Sequence, residues 1–124
     1  MEKKVAELIE CKTDKVLDGI SGLLASRCLD NGDRTKVQVL RREFAKYVSI
    51  KNKGRFTHRS RIMRVLDGFK INEDMNSGVR GTLETIQSEC SDLFSLYWFV
   101  DITDHEEGSI GMLKVNEILA REAA

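Results

Sequence analysis

Apolar residues recur along this chain at intervals of three and four, the spacing of amphipathic helices. Val5, Leu8, Ile9, Val16, Ile20, Leu23 and Leu24 fall near one face, which predicts a helix over 3–29, either continuous or broken near Thr13 and Asp14. Lys12 stands in the middle of that stripe; in a continuous helix its stem would lie on apolar surface while the ammonium reached water. Asp30-Asn31-Gly32-Asp33 reads as a turn, because Asn and Gly tolerate positive φ and Asp33 or Thr35 can accept backbone N–H bonds as an N-cap. Val37, Leu40, Phe44, Tyr47 and Val48 then form the apolar arc of a second helix, with Arg42 and Lys46 pointing away from it.

The stretch 48–57 alternates weakly around Asn52-Lys53-Gly54 and reads as either a short basic β-hairpin or an open loop. A third helix over 57–69 would bury Ile62, Val65, Leu66 and Phe69 and turn Arg61 and Arg64 outward. Residues 70–81 lack periodicity and contain two glycines, so they predict the longest connection. A fourth helix, capped by Thr82, carries Leu83, Ile86, Cys90, Leu93, Phe94 and Tyr97 on one stripe. At its end Leu96, Trp98 and Phe99 spread beyond the stripe, so this turn must be enclosed by the fold or by a partner. After an acidic turn over 101–108, a final helix to 123 would turn Leu113, Ile118 and Leu119 inward. The fold class expected is all-α, a single-domain bundle of about five helices over 1–124.

Composition adds little to that picture. The chain has no proline to break helices, and its length suits one domain with a real core. Three cysteines, Cys11, Cys28 and Cys90, share no metal-type spacing and read as reduced, partly buried thiols. The N-terminus is interrupted by acids where a signal peptide needs apolar residues, and the longest apolar run, 96–100, is far short of a membrane span. A cytoplasmic or nuclear protein without a membrane partner is expected.

Charge changes the picture more. Residues 34–64 hold eleven of the twenty Lys and Arg (Arg34, Lys36, Arg41, Arg42, Lys46, Lys51, Lys53, Arg55, Arg59, Arg61 and Arg64) against one acid, Glu43, a net +10 in a chain that is neutral overall. The flanks compensate, with five basic and seven acidic residues over 1–33 and four and twelve over 65–124. Such concentration costs self-repulsion, and an anionic partner is the usual reason for it. If the two helices fold as a pair, Arg42, Lys46, Arg59, Arg61 and Arg64, together with Lys51, Lys53 and Arg55 from the link, would share one side and meet successive phosphates. His58 would add a further donor. Nucleic acid is the expected partner, RNA ahead of DNA. The alternatives are an acidic protein or other polyanion, and internal pairing with the acidic C-terminal half.

A helix-turn-helix would need a tighter link than 48–57 provides. An accessible Phe56 or Tyr47 could stack on unpaired bases, although both lie at or near the apolar arcs and are expected to be buried. The competing class is a helical protein-interaction module, an adaptor, inhibitor or homodimer, that would use the apolar 96–100 turn with Leu96, Trp98 and Phe99 and the complementary charged faces.

Phe99 and Ile102, then 103–110 with Gly108 and Ile110, then Lys114, resemble one half of an EF-hand over less than a fifth of the chain. Thr103 and Lys114 stand at loop positions one and twelve, where calcium needs carboxylates, so no calcium is expected. His105 among Asp101, Asp104, Glu106 and Glu107 lacks a second histidine or thiolate nearby and reads as a helix-capping turn, with no metal. No phosphate-binding loop, dinucleotide fingerprint, nucleophile elbow or zinc motif occurs, so neither an enzymatic activity nor a cofactor or small-molecule substrate is expected.

Overall fold

The structure is a computed structural model that describes residues 1–50, 54–71, 74–102 and 104–123. Among these residues five helices follow one another: α1 (Glu2–Ala25), α2 (Asn31–Ser49), α3 (Gly54–Asp67), α4 (Ser77–Asp101) and α5 (Ile110–Glu122). The protein is all-helical, and no described residue lies in a strand. None of these helices is long and apolar enough to cross a membrane.

The α1 stripe forms one unbroken helix. Asp30 is the N-cap of α2, its side chain accepting from the Asp33 N–H at 2.7 Å. The β-hairpin alternative for 48–57 fails, because α2 runs through Ser49 and α3 opens at Gly54. A few residues of weak alternation do not outweigh an arc that continues through Tyr47 into the core. Residues 51–53 of that stretch lie outside the described residues. The fourth helix begins at Ser77, not at Thr82: the Asn76 side chain accepts from the N–H groups of Gly78 and Val79. Gly78 and Gly81 disguise this turn in the sequence, since glycine is a poor helix former, but burial of Val79 holds it in place. Thr82 instead bonds back to the Gly78 carbonyl.

The helices pack as antiparallel neighbours. Lys12 meets Glu89 and Asp92, whereas Gly19 faces Ile86 and Thr82, so α1 and α4 run in opposite directions. In the same way Lys36 reaches Gly68, and Arg55 reaches Tyr47, across α2 and α3. A large core unites α1, α2, α3 and α4 through residues such as Ile20, Leu40, Phe44, Ile62, Leu83 and Leu93. A smaller one joins the first turns of α1, the end of α4 and α5 through Val5, Leu8, Leu96, Phe99, Met112, Val115 and Ile118. Leu113, expected inside, is 58 % exposed; Met112 and Val115 take the inward positions.

Two glycines are required where they stand. Gly108 turns the chain into α5 with φ of 85°, in the left-handed region that disfavours other residues. Gly111 lets α5 approach α4 so closely that an added Cβ would lie 2.5 Å from the Trp98 ring.

Lys12 does not reach water. It is 1 % exposed, and its ammonium donates to Glu89 at 2.9 Å, Asp92 at 2.9 Å and Glu122 at 3.1 Å, tying α1 to α4 and α5. Burial alone would lower its pKa, but the three carboxylates override that and hold it above its ordinary value.

Candidate functional site

The basic segment occupies α2, α3 and the link between them, and the antiparallel pairing decides where each cation goes. Three serve the fold. Arg34 donates to the carbonyls of Leu24 and Ser26 at the end of α1. Lys36 donates to the Gly68 carbonyl past the end of α3 at 2.8 Å. Both satisfy carbonyls at helix C-termini, where positive charge also suits the helix dipole.

Arg55 is the third, and its expected role in binding is corrected. It is 8 % exposed, donates to Asp101 at 2.8 Å and to the Tyr47 carbonyl at 2.8 Å, and lies over the Tyr97 ring at 3.9 Å. A guanidinium so enclosed joins α3 to the ends of α2 and α4 and is not offered to a ligand. His58 is corrected likewise: it is buried, with Nδ1 2.7 Å from Glu43 Oε2. The Glu43 carboxylate can only accept there, so Nδ1 carries the proton. The bond from His58 holds the Glu43 pKa below its usual value against the opposing effect of burial, helped by the charges of Arg61 and Lys46.

Glu43 thus organises the surface above it. Arg42 Nε lies 3.8 Å from Oε1 and Arg61 Nη1 lies 3.7 Å from Oε2, one cation from each helix. Both are exposed, as are Arg41, Lys46 and Arg64, and among the described residues no carboxylate lies within ion-pair distance of those last three. Arg59 is half-buried, its guanidinium set against the Phe56 and Phe94 rings. Lys51 and Lys53 lie outside the described residues. Of the described cations in the segment, only Arg55 forms an ion pair with a carboxylate of the acidic C-terminal half. The face therefore brings Arg42 and Arg61 to one buried carboxylate, with exposed Lys46 and Arg64 one turn further along α2 and α3, and can offer forked donors and point charge to anionic oxygens.

Glu43 is what the sequence reading missed, counted there only as the single acid among cations. Its signal was present: it shares a face with Leu40, Phe44 and Tyr47 at helical spacing, a position that buries it.

The alternative interface is also relocated. Leu96 is fully buried and Phe99 nearly so, both in the smaller core under α1 and α5, and Trp98 is half-buried against Gly111. The fold encloses Leu96 and Phe99 of the apolar turn and leaves Val100 54 % exposed. His105 stacks on the Phe99 ring with centroids 4.2 Å apart, and its Nε2–H donates to the Phe99 carbonyl at 2.6 Å, closing the end of α4. Ser109 is the N-cap of α5. No group of His, Cys, Asp and Glu able to hold a metal occurs among the described residues, and Thr103 of the EF-hand-like stretch lies outside them. Cys90 is buried, which pushes its thiol up to about 12, while Cys11 and Cys28 are exposed.

An open concavity of about 530 Å³ lies apart from this face, between the α1–α2 turn and the start of α4. Its lining mixes Asp30 and Asp33 with Lys36 and Lys70, so it does not extend the basic surface. No family model matches the chain, and no curated protein or solved structure matches it.

Proposed function

We propose that this chain is a small non-enzymatic nucleic-acid-binding protein that meets phosphates with the outer face of the α2–α3 pair, RNA ahead of DNA. The observation that carries this reading is the convergence of Arg42 and Arg61 from two helices on Glu43, with Lys46 and Arg64 exposed beside them. Cations forced together at the cost of mutual repulsion, with one buried acid as their counterweight, suit a polyanion whose charges are themselves closely spaced. The antiparallel packing of α2 against α3 differs from the crossed pair that presents one helix to a major groove. The face therefore suits tracking of a sugar-phosphate backbone better than insertion into a groove.

The competing reading, an interaction module built on Leu96, Trp98 and Phe99, loses two of the three to the smaller core and would fall to Trp98 and the exposed Val100 of that turn. Replacing Arg42, Lys46, Arg61 and Arg64 together by Gln tests the proposal in a filter-binding panel of single- and double-stranded RNA and DNA. We expect the wild type to bind, and the variant to lose about a hundredfold or more at low salt while keeping its helical circular dichroism. Equal retention of both proteins would refute the assignment of the face.

A further inference from the structure

Two pairs of apolar side chains are left in water, on different helices and in opposite charge settings. On α3, Phe56 was expected inside but is 67 % exposed, and Met63 is 44 % exposed. Seven residues separate them, so they share one stripe, two turns or about 10 Å apart. Ser60 lies on that stripe, while Arg59 is drawn to its edge, with its guanidinium against the Phe56 and Phe94 rings. On α5, Ile110 is 74 % exposed and Leu113 58 %, one turn apart and turned away from the buried Met112, Val115 and Ile118. The acidic turn leads straight into this second pair.

The charges around the two pairs are complementary. With Arg55 held by Asp101, α3 carries Arg59, Arg61 and Arg64 against one acid, Asp67. The acidic turn and α5 stripe carry Asp104, Glu106, Glu107 and Glu117 against one base, Lys114. Among the described residues no cation lies within ion-pair distance of those four acids, and no carboxylate within that distance of Arg59 or Arg64. We propose that this chain associates head to tail with a second copy, the Ile110 and Leu113 end of one molecule seating on the Phe56 and Met63 flank of the next. The two α5 side chains, one turn apart, fit within the two-turn interval between Phe56 and Met63, over the small Ser60. A symmetric contact is disfavoured: pairing two α3 flanks sets arginines against arginines, and pairing two α5 ends sets carboxylates against carboxylates. Because the two surfaces differ, each docked copy still offers one of them, and assembly continues beyond a dimer unless it closes into a ring. Arg61 lies about 140° round α3 from Phe56, so the contact leaves Arg61 and Arg42 open and does not rest on the nucleic-acid reading.

The test uses the full chain freed of nucleic acid, at low salt, and measures mass by sedimentation velocity at protein concentrations up to about 1 mM, the range of a weak contact. Wild type is compared with Phe56→Ser combined with Met63→Ser, and with Ile110→Ser combined with Leu113→Ser; all four positions are exposed, and circular dichroism verifies that each variant keeps its helices. Wild-type mass is expected to rise with concentration past the dimer or to a closed ring, while each variant alone stays monomeric. An equimolar mixture of the two variants should recover association and stop at the dimer, since it holds one intact copy of each surface. A wild type that is monomeric throughout overturns the proposal and leaves the two surfaces to other partners. So does assembly by either variant alone, or a mixture that stays monomeric. Should a Ser variant lose helical signal, Gln at the same positions takes its place with the same outcomes.

Discussion

Glu43 is a buried carboxylate whose charge is fixed by a histidine beneath the surface and two arginines above it. Its folded pKa lies below the ordinary 4.5, so its contribution to stability is fully present above that value and is lost as pH falls through the lower, folded value. Removing the carboxylate should therefore matter near neutrality and cease to matter in acid. Glu43→Gln is expected to lower stability by about 1–2 kcal/mol at about pH 6, through the weaker bond to His58. The two proteins should converge as pH drops below the native carboxyl's titration. Thermal melts across the acid range check this; a constant gap between the curves would show that the carboxylate's ionisation contributes nothing. At this scale the sequence was only partly legible. The apolar arc around Leu40, Phe44 and Tyr47 could be read directly, and so could the burial it imposes on Glu43. That His58 would be the partner could not, since it depends on how α3 folds back over α2.

Helix content was the most readable property, because five apolar stripes at helical spacing need no tertiary information. Boundaries were harder. Gly78 and Gly81 hid the first turn of α4, and the weak alternation over 48–57 masked the end of α2 at Ser49 and the start of α3 at Gly54. The contact between α4 and α5 turns on a glycine whose reason lies only in the packed structure, the Trp98 ring lying where a Gly111 side chain would go. Gly111→Ala is expected to destabilise by about 1–2 kcal/mol, since overpacking against a rigid ring exceeds the gain in helix propensity. Gly81→Ala, where an added Cβ meets nothing within 4 Å, should stabilise by about 0.5–1 kcal/mol. Urea titrations of the two variants measure the opposite signs, and Trp98 fluorescence should shift only for the first. The same sign for both would remove the packing argument.

Across the whole molecule, charge is sorted by sequence distance. Lys12 stands in an apolar stripe that any helical reading finds, yet its partners lie 77, 80 and 110 residues away, so the ion network at the α1–α4–α5 junction was not legible. Arg121 and Lys15 join that network through Asp92 and Glu89, which engages part of the acidic half away from the basic face. Arg34, Lys36 and Arg55 are likewise occupied in holding helix ends and junctions. What the segment keeps for solvent is a smaller set than its composition advertises, but one assembled from both helices. The most direct measurement of the central claim is the slope of log affinity for a single-stranded RNA against log salt concentration, for wild type and for the fourfold Gln variant. Binding through this face predicts a steep negative slope for the wild type, shallower by about 0.7 for each phosphate contact removed. Identical slopes for the two proteins, or affinity indifferent to salt, would contradict it.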